Sequence, residues 1–204
     1  MSTHIHSYIA LGDSYTIGEG VPLFESFPYQ VIQLLRKQNI HFHAPEIIAK
    51  TAFTTFELGE QILQTQLEES YDFATLLIGV NNQYRGLSIN EYEKEFTFLL
   101  HKAIHLTGGN ADHVIVLSIP DWGSTPFAKE RETEKIGLEI DRFNEVAKLV
   151  CQNNSAHFLD ITAHTKIVTS ERSFLAKDGL HYSAKMYAEW ALQVAEKFLT
   201  LIEK

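Results

Sequence analysis

Short apolar segments alternate with longer amphipathic segments along the whole chain, and this alternation constrains the fold more than any other feature. The short segments are rich in Ile, Val, Leu and Phe and are bounded by polar or turn residues, as strands are. We predict strands over Ser7–Leu11, Glu46–Ala49, Phe73–Val80, His113–Ile119 and His157–Ile161. The long segments carry apolar residues at helical spacing. We predict helices over Tyr29–Gln38, Phe56–Glu68, Ile89–Leu106, Thr133–Gln152 and Ala184–Leu201.

The two runs centred on Leu77 and Val116 are almost continuously hydrophobic. A strand has this pattern when helices cover both faces of a parallel sheet. We therefore predict an α/β protein, a three-layer α/β/α sandwich around a five-stranded parallel sheet. No repeat or linker-like stretch interrupts the sequence, so we expect a single domain over residues 1–204. Ligands of such sheets bind beyond the carboxyl ends of the strands, which makes the residues directly after the strands the candidates for function.

Charge and cysteine content argue against several classes of protein. A formal net charge of -9, without a Lys/Arg cluster, disfavours a nucleic-acid partner. Cys151 is the only cysteine and has no CxxC or Cys/His spacing around it, so we expect neither a disulfide nor a structural zinc site. The N-terminal segment lacks a signal-peptide pattern, and no apolar run reaches the roughly 18 to 20 residues of a membrane span. We expect a cytoplasmic protein without a membrane span.

A candidate nucleophile follows the first predicted strand, in the segment Gly12–Gly20 (GDSYTIGEG). The hydroxyl of Ser14 is expected at the crevice beyond the sheet edge. Because a serine hydroxyl is a poor nucleophile without a positioned base, the interpretation requires a histidine and a group that orients it. Asp178 and His181 lie three residues apart before the last predicted helix, so one tight turn can bring them into hydrogen-bond contact. We predict Ser14 as nucleophile, His181 as base and Asp178 as its orienting carboxylate.

Acyl transfer also needs hydrogen-bond donors at the oxygen that becomes negative, the oxyanion hole. The third predicted strand is followed by Asn81 and Asn82. We predict the side-chain amide of Asn81 and the backbone N–H of Ser14 as two of these donors. A third donor is expected from the turn after the second strand.

These positions resemble a known family. Gly12-Asp13-Ser14, Gly79-Val80-Asn81 and Asp178-Gly179-Leu180-His181 are similar to the first, third and fifth sequence blocks of the SGNH/GDSL hydrolases, and the resemblance covers nearly the whole chain. It implies a flavodoxin-like α/β/α fold and activity as an esterase, lipase, lysophospholipase, thioesterase or carbohydrate acetylesterase. It also implies a Ser-His-Asp triad that works without metal or cofactor on a small-molecule ester substrate.

The second block fits the family less well. Ala52 stands where the family has a glycine whose backbone N–H completes the oxyanion hole. Since alanine does not easily adopt a positive φ, we expect Ala52 to donate only from a conventional backbone. Asn82 stands where many members have Asp, a departure expected to matter little. Trp122, after the fourth strand, and Phe53 are predicted as substrate-pocket residues.

Each of these residues also has a simpler interpretation. A serine in such a turn is more often a helix N-cap, and Asp178 is compatible with a turn residue. Glu19 and Arg85 are expected to be solvated charges or salt-bridge partners, and residues 129–135 a solvated loop, helix start or lid. Further histidines are expected at the surface or partly packed: His4, His6, His41 and His43. The joint arrangement of Ser14, Asn81 and His181 nevertheless favours catalysis.

Three alternatives remain open. A non-catalytic flavodoxin-like binder of phosphate-bearing ligands is disfavoured because the chain lacks GxGxxG and a P-loop lysine. An α/β-hydrolase is disfavoured because Thr16 stands at the second glycine of GxSxG. A pseudoenzyme, which would keep the fold without turnover, is suggested only by Ala52 in place of glycine. Within the hydrolase interpretation we expect short or medium acyl esters, or acetyl esters, as substrates.

Overall fold

The computed structural model describes residues 4–168 and 171–203. It contains one parallel sheet with the strand order β2-β1-β3-β4-β5. The strands are β1 Tyr8–Gly12, β2 Glu46–Ala49, β3 Phe73–Leu77, β4 Val114–Leu117 and β5 His157–Leu159. This order is the flavodoxin-like one. The predicted α/β fold with a five-stranded parallel sheet is confirmed.

Eight α-helices accompany the strands in the described ranges. They are α1 Ser14–Ile17, α2 Phe27–Lys37, α3 Thr55–Gln64, α4 Val80–Tyr84, α5 Ile89–Leu106, α6 Thr133–Asn153, α7 Thr162–Val168 and α8 Ala184–Ile202. The five predicted helices all form, as α2, α3, α5, α6 and α8. The short helices α1, α4 and α7 were not predicted, because so few residues carry no readable helical period.

Helices cover both faces of the sheet. Every residue of β1, β3 and β4 is buried, and successive side chains of a strand point to opposite faces, so both faces must be shielded. Helices α2 and α8 pack together, and α5 packs against α3 and α6. These contacts form the three layers predicted from the continuously hydrophobic runs.

The third strand ends earlier than predicted. β3 stops at Leu77 rather than Val80, because Gly79 has a φ of 126° and Val80 already begins α4. A Cβ atom at Gly79 would lie 2.6 Å from Tyr92 Cε2 and 2.8 Å from Ile119 Cδ1, so glycine is also required for space. This break turns the chain at the sheet edge and brings Asn81 close to the carboxyl end of β3.

The second long helix begins and ends earlier than predicted. Thr54 caps α3 with a capping box, in which its hydroxyl accepts from the Glu57 N–H and its own N–H donates to the Glu57 carboxylate. The helix stops at Gln64, four residues before the predicted Glu68, because Thr65 has an extended backbone. A cap of this kind typically stabilises a helix by about 1 kcal/mol.

Cys151 is fully buried on α6 and unpaired, as expected for a small apolar residue. Burial raises the pKa of its thiol to about 12, which keeps it protonated and unreactive. Among the described residues, no helix combines the length and the apolar character needed to cross a lipid bilayer.

Candidate active site

A cavity of about 220 Å³ opens beyond the carboxyl ends of β1 and β3. Five of the residues predicted from the sequence line it together: Ser14, Ala52, Asn81, Trp122 and His181. They come from five separate loops and helix starts, which the sheet brings to one edge. The location agrees with the rule that open parallel sheets bind ligands at this end.

Ser14 is the first residue of the four-residue helix α1. The N-cap is Asp13, whose carboxylate accepts from the Tyr15 N–H at 3.0 Å, so the capping role proposed for the serine falls to its neighbour. Gly18 closes the helix with a φ of 75°. The Ser14 hydroxyl is thereby left for the cavity, and the side chain is 5% exposed.

Asp13 has an unusual environment. It is fully buried, and one of its carboxylate oxygens has no hydrogen-bond partner among the described residues. Burial raises the pKa of this carboxyl to about 7, against the opposing effect of the Tyr15 N–H. The nucleophile candidate is therefore preceded by a carboxyl group that is largely protonated near pH 6.

His181 and Asp178 form the predicted pair. The distance between His181 Nδ1 and Asp178 Oδ2 is 2.6 Å. The other carboxylate oxygen of Asp178 accepts from the backbone N–H groups of Leu180 at 2.9 Å and His181 at 3.0 Å. Gly179, with a φ of 71°, provides the tight turn between them. With Nδ1 protonated towards Asp178, Nε2 of a neutral ring is the acceptor.

The charge of Asp178 is stabilised by this arrangement. Burial alone would raise the pKa of the carboxyl, but the hydrogen bonds from the His181 ring and from the two backbone N–H groups outweigh it and lower the pKa below its usual value. Asp178 therefore stays ionised beside the ring.

An aromatic cluster below the cavity positions both groups. Tyr15 follows Ser14 and Tyr182 follows His181, and the two rings pack with centroids 5.5 Å apart. Both also pack against Trp190 of α8, at 6.3 and 5.1 Å. Because both tyrosines are at most 2% exposed, their packing fixes the backbone on which Ser14 and His181 are carried. No hydrogen bond joins Ser14 to His181 in the described ranges, and such contacts often tighten only with substrate bound.

Ala52 lies in the loop between β2 and α3, and Asn81 contacts the same loop. Asn81 Nδ2 donates to the Phe53 carbonyl at 2.9 Å, which uses one N–H of the amide and leaves the other for the cavity. The Phe53 N–H donates to the Lys50 carbonyl at 3.2 Å and closes a turn with Ala52 at its third position. A turn of type II requires a positive φ at that position.

The backbone at Ala52 is not the conventional one on which its role as a donor was expected to depend, because its φ is 66°. The left-handed region costs a non-glycine residue about 1–2 kcal/mol, so the surroundings must hold it. Arg85 Nη2 donates to the Ala52 carbonyl at 2.6 Å, and Arg85 also pairs with Glu57 at 3.2 Å. Ala52 thus has a left-handed backbone, and Arg85 is a salt-bridge partner, one of the two roles expected for it.

Asn82 has a structural role, because its side chain satisfies a backbone group of a neighbouring loop. Its side chain accepts from the Thr55 N–H at 3.0 Å and donates to the Thr55 hydroxyl at 2.6 Å. It is 1% exposed. These two hydrogen bonds connect the start of α4 to the start of α3, and they hold the loops of Asn81 and Ala52 together.

Of the two predicted pocket residues, only Trp122 lines the cavity. Its indole Nε1 donates to Gln83 Oε1 at 2.7 Å, which fixes the ring. Phe53 does not contribute to the described lining. Its side chain is half-buried and packs on the core. Its backbone carbonyl accepts the hydrogen bond from Asn81 Nδ2. The apolar or aromatic lining residues that were not predicted include Tyr84, Phe127 and Leu180, which lie on short segments without periodic pattern.

The segment 129–135, expected to be a loop, a helix start or a lid, includes the start of α6 and places one side chain against three aromatic rings. The Arg131 guanidinium lies 5.3 to 5.5 Å from the ring centroids of Tyr84, Trp122 and Phe127. A guanidinium at this distance is attracted by aromatic faces. Arg131 therefore helps to hold the three rings of the cavity wall together.

Glu19 lies closer to the site than the sequence suggested. Its carboxylate accepts a hydrogen bond from the Thr51 hydroxyl, and its Oε2 lies 3.9 Å from His181 Nε2. The ring therefore has a carboxylate near each nitrogen.

Comparison with known proteins identifies the family of the chain. The model of the GDSL-like lipase/acylhydrolase family matches residues 10–189. The chain therefore belongs to the GDSL-like lipase/acylhydrolase family and is an ester-hydrolysing enzyme. No curated protein matches the chain.

Solved structures confirm the SGNH hydrolase fold. A lipase/acylhydrolase from Enterococcus faecalis is 19% identical, with a TM-score of 0.75 and 95% of each chain covered. Axe2, an acetylxylan esterase from Geobacillus stearothermophilus, is 17% identical, with a TM-score of 0.72 over 98% of this chain and 95% of that one. The psychrotrophic esterase EstA from Pseudoalteromonas sp. is 12% identical, with a TM-score of 0.71 over 98% of this chain and all of the other.

Proposed function

We propose that the protein hydrolyses short or medium acyl esters, or acetyl esters, through a triad of Ser14, His181 and Asp178. The observation that carries the proposal is the Asp178–His181 pair at 2.6 Å, which orients a ring in the same cavity wall as the serine. Ester hydrolysis follows from the family, and the triad and the substrate class are our inference.

In the first half of the reaction Ser14 is acylated. His181 Nε2 takes the proton of the Ser14 hydroxyl as its oxygen attacks the carbonyl carbon of the ester. Asp178 stabilises the imidazolium that forms. The tetrahedral intermediate then collapses, the bond to the alcohol oxygen breaks, and His181 returns the proton to the leaving alcohol.

The negative oxygen of the intermediate needs donors in the cavity. We assign the backbone N–H groups of Ser14 and Ala52 and the free N–H of the Asn81 amide to this role. The position of Ala52 supports the assignment, since it lines the cavity together with Ser14 and Asn81. Each such donor typically contributes about 2.7–4 kcal/mol to the transition state.

In the second half water replaces the alcohol. His181 Nε2 takes a proton from water, whose oxygen attacks the acyl carbon, and the bond to Ser14 breaks as the hydroxyl regains the proton. The acid is released and the enzyme returns to its starting state. Every step uses only groups of the chain, the ester and water.

The size and lining of the cavity support a small acyl or alcohol group. Its volume of about 220 Å³ is below the roughly 300–1,000 Å³ typical of pockets for drug-sized ligands. Trp122, Phe127 and Leu180 offer it an apolar wall. A group of a few carbons fits such a space better than a long acyl chain.

The test is hydrolysis of p-nitrophenyl esters from acetate to laurate by the wild type and by Ser14→Ala. We expect the highest kcat/KM on a short or medium ester and a loss of about 10⁴-fold or more in Ser14→Ala. Ser88→Ala is the matched control, because Ser88 is exposed and makes no capping hydrogen bond. A folded Ser14→Ala variant that keeps its rate would overturn the assignment.

A further inference from the structure

A second cluster of histidine and aspartate lies at the amino end of the sheet, away from the cavity. Asp72 directly precedes β3, and His4 and His6 precede β1. His4 Nε2 lies 2.9 Å and His6 Nδ1 3.7 Å from Asp72 Oδ1, and the three ligand atoms lie within 4.8 Å of one another. The esterase mechanism uses none of these groups.

The spacing of the three atoms is close to that of a metal site. Zinc binds histidine nitrogen and carboxylate oxygen at about 2.0–2.2 Å, so ligand atoms of a tetrahedral site lie roughly 3.4 Å apart. The His6–Asp72 distance is already near this value. His4 has a side chain that is 65% exposed, so it is free to make the remaining adjustment.

The Asp72 carboxylate is already oriented for this task. Its Oδ2 accepts from the Ser7 N–H at 2.7 Å and from the Ser7 hydroxyl at 3.0 Å, which leaves Oδ1 facing the two rings. Outer hydrogen bonds of this kind hold the ligating carboxylates of metal sites in place.

The His6 ring is also fixed and lacks a hydrogen bond at the relevant atom. It packs against Phe42 and Phe73 with centroids 5.0 and 5.9 Å away. Its Nδ1 is buried and has no hydrogen-bond partner in the described part of the chain. A buried ring nitrogen that points at a carboxylate without bonding to it is better satisfied by a shared cation.

We propose that His4, His6 and Asp72 bind one divalent zinc ion, with water as the fourth ligand. Two imidazoles and one carboxylate form a donor set that zinc accepts. The ion would connect the segment before β1 to the start of β3, and β1 alone separates it from the cavity by more than about 15 Å. Its role is therefore to stabilise the fold rather than to take part in ester hydrolysis. This proposal departs from the expectation, based on the cysteine content, that the chain has no structural zinc site.

The test is titration of zinc chloride into the full-length, tag-free protein after dialysis against EDTA, followed by calorimetry and thermal unfolding. We expect one zinc per chain, a rise in Tm of about 5 °C or more at saturating zinc, and reversal by EDTA. The kcat/KM of ester hydrolysis should change less than twofold.

Variants separate the proposed site from adventitious binding. His4→Gln removes an exposed ligand without disturbing the core and should weaken zinc binding at least about tenfold. Asp72→Asn should abolish it, whereas His105→Gln, at an exposed position on α5, should leave it unchanged. Absence of binding to the wild type, or equal binding by wild type and His4→Gln, would refute the site.

Discussion

The two ends of the sheet carry similar side chains in different surroundings. At the carboxyl end Asp178 contacts His181 beside an apolar cavity that also contains Ser14. At the amino end Asp72 contacts His4 at 2.9 Å, but the pair faces solvent and a second histidine. An Asp–His pair thus does not define a function by itself. The function depends on whether a nucleophile and a closed apolar wall, or only further metal ligands, complete the site.

The largest expected difference between the two ends concerns catalysis. Asp178→Asn should lower kcat by about 10⁴-fold, because the amide no longer holds the His181 ring in the productive tautomer. Asp72→Asn at the other end should leave kcat within about twofold. Steady-state kinetics on the best p-nitrophenyl ester measure both. Equal losses in the two variants would mean that the comparison between the ends is wrong.

A second difference is the pH dependence of stability, which Asp13 contributes at the carboxyl end of the sheet. Asp13, at the carboxyl end, has a pKa raised from 3.8 to about 7 by burial. Its protonated form is favoured in the folded state, so its contribution to stability is complete below pH 3.8 and is lost as the pH rises through 7. The total loss is about 4 kcal/mol, at roughly 1.4 kcal/mol per pH unit.

This prediction is measured by urea unfolding of wild type and Asp13→Asn between pH 4 and pH 8. The asparagine variant keeps the acceptor for the Tyr15 N–H but cannot ionise. The wild type should lose free energy of unfolding relative to the variant as the pH rises. A difference that stays constant over this range would show that Asp13 does not titrate with the raised pKa.

The next effect is the loss of kcat when a side-chain amide at the cavity is removed, compared with removal of an amide that only accepts a backbone hydrogen bond. Asn81→Ala should lower kcat by about 10²–10³-fold with little change in KM, because it removes a transition-state donor. Asn110, whose side chain accepts from the Asp112 N–H near the amino end of β4, provides the control. Asn110→Ala should affect stability alone. A larger effect of Asn81→Ala on KM than on kcat would argue against the oxyanion role.

The smallest effect compares two left-handed residues at opposite ends of strands. Ala52 follows β2 with a φ of 66°, and Ser155 precedes β5 with a φ of 59°. Glycine relieves the strain at either position but increases the entropy of the unfolded chain, so Ala52→Gly and Ser155→Gly should each raise stability by about 1 kcal/mol or less. Ala52→Gly keeps the N–H, and its kcat should stay within about threefold of wild type. Chemical denaturation and ester kinetics give both values, and a tenfold loss would mean that the Ala52 methyl group positions the substrate.

The sheet, the long helices and the contact between Asp178 and His181 could be predicted because each has a local pattern in the sequence. Continuous apolar runs indicated buried strands, and Asp178 and His181 are close enough along the chain to pair through a single turn. The left-handed backbone of Ala52 could not be predicted, since it depends on Arg85, which approaches from a distant loop. Contact of Glu19 with His181 and the absence of Phe53 from the cavity wall also depend on tertiary packing. The single domain over residues 1–204 and the cytoplasmic location stay predictions.

The most direct test of the account is covalent labelling with a p-nitrophenyl phosphonate ester. An activated Ser14 should attack phosphorus and displace p-nitrophenolate, and mass spectrometry should find one phosphonyl group on the peptide that contains Ser14. Labelling should be lost in Ser14→Ala, much slower in His181→Gln, and unchanged in Ser88→Ala. A label on another residue, or Ser14→Ala labelled at the wild-type rate, would contradict the assignment of Ser14 as the nucleophile.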